Sequence, residues 1–499
     1  MKKIADNIRL ILISSIVVVA FLFLIISVFR SGYFYMFDQD EFLHSQIAYL
    51  IFKGYKPFIN VYTSWIPIFH WLLVPVLAIN DFSFNSLLAA RIFMIALFAI
   101  RILLGFLLVN KLFGRKVSIL FVFLFLFDPF TVFTAMQIRP DNLMITLFTL
   151  GLLILTYAIF NSSRLLLFYS GFILALSILT CLKIVPGISA VTIIFLIYAF
   201  SRRNFAKGIA FFSGMFFAIF VAVAYFGLQN SLFQMMQQVI LDAATLHKSI
   251  YNWTGLGYFY APGNDNLYGL SGKPLNWVYV WILPILAFMG VFQVIQKFFT
   301  EPDSNHKQKI IFIILTTAFI FHWLSLFFYH SVFLQYYIPI SWFYALFSAV
   351  IISHFDKLIQ KFVAVNLFYR ISLFILGTSL VIASTAANNR RATVFSYEWQ
   401  YPIVSSRWAK IPKDSYVFPF MIFRPIADPF LPLFSFTPGL PTSIINRYPP
   451  LLKTLKNYNV SYVFISEHIS YYYIIPEIKA YIGENFAQDQ QDKELWIRR

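Results

Sequence analysis

The sequence predicts an all-α polytopic membrane protein of about eleven transmembrane helices, followed by a small α/β domain at its C-terminal end. Three observations lead there. The 499-residue chain is 60% hydrophobic and only 12% charged, more apolar surface than soluble domains of this length hide in their cores. Apolar runs of membrane-crossing length recur from residue 8 to residue 386. Between those runs the basic residues gather in alternate loops, as orientation in a bilayer requires. The net charge of +17 therefore belongs to topology, and no nucleic-acid partner is expected. Cys181 is the single cysteine, which excludes an internal disulfide.

The elements follow in order. Span 8–29 begins behind Lys2, Lys3 and Arg9; its apolar part is too long for a signal peptide, and no small-residue cleavage site follows. The outer loop Arg30–Ser64 comes next, with apolar residues at helical spacing from Phe42 to Phe52. Residues 65–79 are apolar but short and carry Pro67, His70 and Pro75, so they read as a helix in the outer interface. The remaining spans are 86–109, 117–133, 142–160, 165–181, 184–200, 208–226, 277–298, 310–328, 336–353 and 367–386.

With a cytoplasmic N-terminus, the inner segments receive Lys111, Arg115, Lys116, Arg164, Arg202, Arg203, Lys207, Lys307, Lys309, Lys357 and Lys361. The short outer loops keep little beyond Arg139 and Lys183. Counting 65–79 as a span would invert every later loop. Residues 1–386 thus form a membrane module in the plasma membrane, and 387–499 an extracytoplasmic domain. In that domain Leu451–Tyr458 reads as a short helix, Val460–Ile465 alternates like a strand, and the proline-dense stretch from Pro402 to Pro450 reads as loop.

Residues able to carry chemistry collect on the outer side. Asp38, Asp40 and Glu41 stand within four residues just beyond the first span. They either do acid–base work or cap the helix that follows, where its dipole favours negative charge. Arg139 and Asp141 flank Pro140 in a tight outer turn; the guanidinium could grip a phosphate or snorkel, and Asp141 could cap the next helix. Lys183, ahead of Pro186-Gly187, is either a phosphate contact or an interfacial anchor. His330, Gln335 and Tyr336 could touch a sugar, although aromatic residues belong at an interface without any function. Arg101 falls mid-span, and Asp128 in the next span is its expected partner. No metal-ligand spacing, P-loop or dinucleotide fingerprint occurs; the outer acids could take a divalent cation, but nothing requires a cofactor.

The order of these residues resembles that of the bacterial multi-pass GT-C glycosyltransferases, relatives of protein O-mannosyltransferases and of the lipid A aminoarabinose transferase. The matching features are Asp40-Glu41 with Ile47-Ala48, Gly54, Lys56-Pro57-Phe58, Pro67, Ala90-Arg91 and the run Lys111 to Lys116. Arg139-Pro140-Asp141, Leu179 to Lys183 and Gln335-Tyr336 continue the series. The chain departs from the family pattern at Asn60 and at Ser64-Trp65-Ile66-Pro67, which bears on sugar and acceptor choice.

The resemblance implies a sugar donor carried on polyprenyl phosphate within the membrane lipids, an acceptor that is glycan, lipid or protein, and transfer on the outer face. It also implies a first-loop carboxylate as base; Asp40 matches best, with Glu41 beside it and Asp38 competing. Two other classes share the spans: a flippase or exporter of lipid-linked glycans, and a receptor or scaffold. Polar clusters gathered on one face favour an enzyme over a transporter, which tends to keep them at the midplane.

Overall fold

The computed structural model describes residues 2–127, 134–245, 282–300, 306–328, 334–359, 363–418, 421–425, 451–465 and 476–499. The chain opens with α1 (Lys2–Phe34), α2 (Gln39–Phe52), α3 (Ile68–Ala78), α4 (Phe84–Phe113) and α5 (Arg115–Phe127). Then come α6 (Pro140–Asn161), α7 (Arg164–Thr180), α8 (Val185–Ser201) and α9 (Phe205–Leu228). After a short helix at Leu232–Met236 follow α10 (Leu283–Thr300), α11 (His306–Ser325), α12 (Ile338–Ile359) and α13 (Val363–Thr393).

Each segment expected to span is helical over most of its length. Six helices are long and apolar enough to cross a membrane: Phe84–Phe113, Pro140–Asn161, Leu182–Ser201, Phe205–Leu228, His306–Phe328 and Gln335–Leu358. Their number and apolar faces make this a multi-pass membrane protein. The stretch read as interfacial is the 11-residue α3. At 1.5 Å per residue it extends roughly 16 Å, about half the hydrocarbon thickness.

Helices pack where small residues let backbones meet. Gly171 on α7 faces the carbonyl of Phe211 on α9, and Gly214 on α9 faces that of Phe168 on α7. A Cβ at either position would collide with the opposite backbone, so the two glycines set the closeness of this crossing. The far side of α9 carries exposed Ile209, Phe216 and Phe220, a surface suited to lipid.

Helix α13 runs through residue 386 to Thr393, so the expected boundary between module and domain falls inside a helix. Next is α14 (Gln400–Lys410), where a loop is expected. Pro402 is no obstacle there, because it sits in the first turn, where its missing N–H has no intrahelical acceptor. The last part adds α15 (Leu451–Asn457), α16 (Pro476–Asn485) and a four-stranded sheet. Its strands are β1 (Val417–Phe418), β2 (Tyr462–Phe464), β3 (Phe486–Gln488) and β4 (Leu495–Arg498), in the order β1-β2-β4-β3. The pair β1–β2 is parallel and the other two pairs are antiparallel. Val463, Ile478, Ile482 and Phe486 fill the core between sheet and helices. The short helix and the strand expected between residues 451 and 465 are both present.

Two glutamine amides fasten this region to the first loop. Gln400 Nε2 donates to the Phe37 carbonyl at 2.9 Å, and Phe37 N donates back to Gln400 Oε1 at 2.8 Å. Gln46 Nε2 donates to the Arg424 carbonyl, and Phe423 N to Gln46 Oε1, both at 2.6 Å. Each amide satisfies backbone groups as a neighbouring strand would.

Candidate active site

The site grows from the start of α2. Asp38 is its N-cap: Glu41 N donates to Asp38 Oδ1 at 2.9 Å, and Asp38 N donates to Glu41 Oε2 at 3.1 Å. This capping box fixes three carboxylates in one turn and sends them in different directions.

Glu41 turns inward. Arg91 of α4 donates to it through Nε and Nη2, both at 2.5 Å, and Ile138 N donates to Oε1 at 2.9 Å. With the Asp38 N–H, Glu41 accepts four hydrogen bonds, which fills its lone pairs. Arg91 also donates to the carbonyls of Gly32, Tyr35 and Met36. Burial pushes the Glu41 carboxyl above its ordinary value, and the Arg91 charge opposes that rise. Glu41, expected beside Asp40 as a catalytic group, therefore has no lone pair to offer a substrate.

Asp38 and Asp40 turn outward and share one guanidinium. Arg139, the N-cap of α6, donates through Nη1 to Asp40 Oδ2 and through Nη2 to Asp38 Oδ2, each at 2.5 Å. Its Nε donates to Gln137 Oε1 at 2.8 Å, so three partners hold the plane. Burial alone would lower the Arg139 pKa; Asp38, Asp40 and Asp141 outweigh it and raise it. The Asp40 side chain is 41% exposed against 10% for Arg139, so Asp40 is the open end of the cluster.

A second pair lies two residues along. Asp141, in the first turn of α6, is buried and accepts from Lys183 Nζ at 2.8 Å. The same Nζ stands 4.6 Å from the centre of the buried Tyr336 ring. Gln335 is half-buried beside Tyr336, while His330 lies outside the described residues. Asp38, Asp40, Glu41 and Arg139 are thus brought together, and Asp141, Lys183 and Tyr336 join them through the N-terminal turn of α6. Arg101 is buried against the rings of Phe98 and Phe125, and its expected partner Asp128 is outside the described residues.

Sequence reasoning gave no role to Arg91, Gln137, His44 or His70. His44 and His70 are both buried, and His44 Nδ1 lies 3.1 Å from His70 Nε2. The signal for His44 is its place one turn after Asp40; the other three show nothing locally. Among the described residues no group of three or more His, Cys, Asp or Glu is placed to hold a metal ion. An apolar groove of about 600 Å³ lined by α7, α8 and α9, Phe200 and Phe205 among its lining, contains none of these residues.

The sequence matches no protein-family model and no curated protein. Among solved structures the chain is similar to ArnT from Cupriavidus metallidurans bound to undecaprenyl phosphate. Identity is 12% and the TM-score 0.60, over 97% of this chain and 98% of that one. The apo state of the same protein gives 13% identity and a TM-score of 0.56, with the same coverage of 97% and 98%. The chain is also similar to the archaeal oligosaccharyltransferase AglB from Archaeoglobus fulgidus in complex with an inhibitory peptide and a dolichol-phosphate. There identity is 12% and the TM-score 0.50, over 89% of this chain and 69% of that one. These likenesses show a GT-C-like fold.

Proposed function

We propose that the chain is an inverting glycosyltransferase that moves a sugar from a polyprenyl-phosphate donor to an acceptor on the outer face of the plasma membrane. The observation that carries this reading is the Arg139 fork: one guanidinium orienting two carboxylates, with Asp40 the more exposed. The likeness in fold to proteins bound to undecaprenyl phosphate and dolichol-phosphate supports the choice of donor class.

Asp40 accepts the proton of an acceptor hydroxyl or amine as that atom attacks the anomeric carbon. General-base help of this kind is worth about 10²–10⁴ in rate. The phosphate departs from the opposite face, so the configuration inverts. Positive charge grows on the sugar and negative charge on the leaving phosphate. Arg139 and Lys183 meet the latter, and such fixed cations act most strongly where water is scarce. The polyprenyl tail stays in the bilayer, which is why this chemistry sits on a membrane bundle. Glu41 and Arg91 hold the loop in place, and the reaction calls for no cofactor. Gln400 and Arg424 tie the region from residue 387 to residue 499 to Phe37 and to Gln46 of α2, and on this reading that region lies on the outer side with the site.

The test is transfer of radiolabelled sugar from synthetic polyprenyl-phosphate donors in proteoliposomes, wild type against Asp40→Asn. Label reaching an acceptor, and lost in the variant, is expected. Movement of intact donor across the bilayer without transfer would make the protein a flippase.

A further inference from the structure

Two histidines beside the carboxylates take no part in the reaction proposed above. His44 lies four residues after Asp40, one turn along the same face of α2. His70 reaches it from α3, with His44 Nδ1 3.1 Å from His70 Nε2. His44 is 1% exposed and His70 0%, and Trp65 stands edge-on to the His44 ring with centroids 4.6 Å apart.

Both rings are neutral. Burial pushes His70 down to about 3. Burial also pushes His44 well below its usual value, helped by His70 and by the charges of Arg139 and Lys183. Two neutral imidazoles sharing one hydrogen bond have two arrangements. In the first, His44 Nδ1–H donates, and His70 must then carry its proton on Nδ1. That atom is buried with no partner among the described residues, so the N–H would be orphaned. In the second, His70 Nε2–H donates and His70 Nδ1 is a bare acceptor. An orphaned buried N–H is the rarer and costlier defect. The second arrangement therefore prevails, and His44 keeps its own proton on Nε2.

We propose that His44 is a neutral phosphate-binding residue of this site, held by His70 as the Nε2–H tautomer to donate to an oxygen of the lipid phosphate. The proposal rests on the lipid-phosphate reading above. Its chemical sense lies in the company His44 keeps. A third cation beside Arg139 and Lys183 would repel both, whereas a neutral N–H adds a directed hydrogen bond at no charge. His70 is a positioning residue: it touches His44 and sets where the proton sits.

The experiment uses the full chain with ¹⁵N-labelled histidine in lipid nanodiscs at about pH 7, the His44 signals being assigned from a His44→Asn sample. Undecaprenyl phosphate is then added while its ³¹P signal is followed. In the protein alone, His44 should show a protonated Nε2 and a bare Nδ1; on binding, the Nε2 signal should move. His44→Phe should weaken binding about tenfold, the loss of one hydrogen bond to a charged group, and His70→Phe should leave His44 as a mixture of tautomers. A protonated Nδ1 in the wild type overturns the proposal. So does an Nε2 signal that stays put while the ³¹P signal reports binding. No ³¹P response at all would defeat the lipid-phosphate reading too, and the sugar-transfer assay would then fail independently. The wild-type signals decide the matter even if a variant does not fold.

Discussion

Two arginine–carboxylate clusters meet at the first turn of α2, and they are built from the same residue types for opposite ends. Arg91 and Glu41 are 1% and 0% exposed, and every donor and acceptor between them is committed. Arg139 with Asp38 and Asp40 has equally short hydrogen bonds, yet the Asp40 side chain is 41% open. A buried pair cannot trade partners, since a carboxylate left alone there would be uncompensated. An open one can give up a carboxylate contact when a phosphate arrives. Burial, not residue identity, separates the strut from the working part.

Breaking the strut should have the largest effect. Arg91→Met leaves the Glu41 charge buried without its partner, and a loss of about 3–5 kcal/mol is expected. Thermal unfolding of purified protein in detergent reads this; a shift no greater than that of Asp40→Asn would erase the distinction. Asp40→Asn should itself lower sugar transfer by about 10²–10⁴. Its unfolding midpoint should hardly change, because an exposed ion pair contributes about 0–1 kcal/mol.

Arg139→Lys keeps the charge but not the flat fork, and one ammonium cannot bridge both acids. Turnover should fall about 100-fold in a protein that still folds, as initial rates at saturating donor would report. The smallest effect belongs to Asp38→Asn. Asparagine caps a helix as well as aspartate does, so stability should stay within about 0.5 kcal/mol. Transfer should drop about fivefold, the worth of one partly exposed contact. A larger drop than for Asp40→Asn would move the base to Asp38.

How far the sequence reveals this arrangement depends on distance along the chain. The apolar runs, the short apolar stretch of α3 and the acidic start of α2 are local patterns, and each is helical where a helix is expected. Arg139, Asp141 and Lys183 are legible as charges in turns between apolar runs, but their pairing is not. Arg91 lies 50 residues from Glu41, and His70 lies 26 from His44. Nothing in either neighbourhood marks the contact. Glu41 shows the limit most sharply: beside Asp40 in sequence it reads as a second catalytic acid, and a rotation of about 100° around the helix turns it into the core instead. In α14, proline density points to loop, although Pro402 occupies the one turn that accepts it.

The paired amides of Gln46 and Gln400 also order events in time. Asp38 and Asp40 leave the ribosome well ahead of Gln400, which braces the loop through Phe37 and is made 363 residues after it. At ordinary translation speeds that interval is roughly 20–70 s. Throughout it a growing chain already carries its acidic cluster without the amide that holds the loop still. The loop that carries the two acids thus gains its brace only once Gln400 has been made, and a chain interrupted before that point would keep the acids without it.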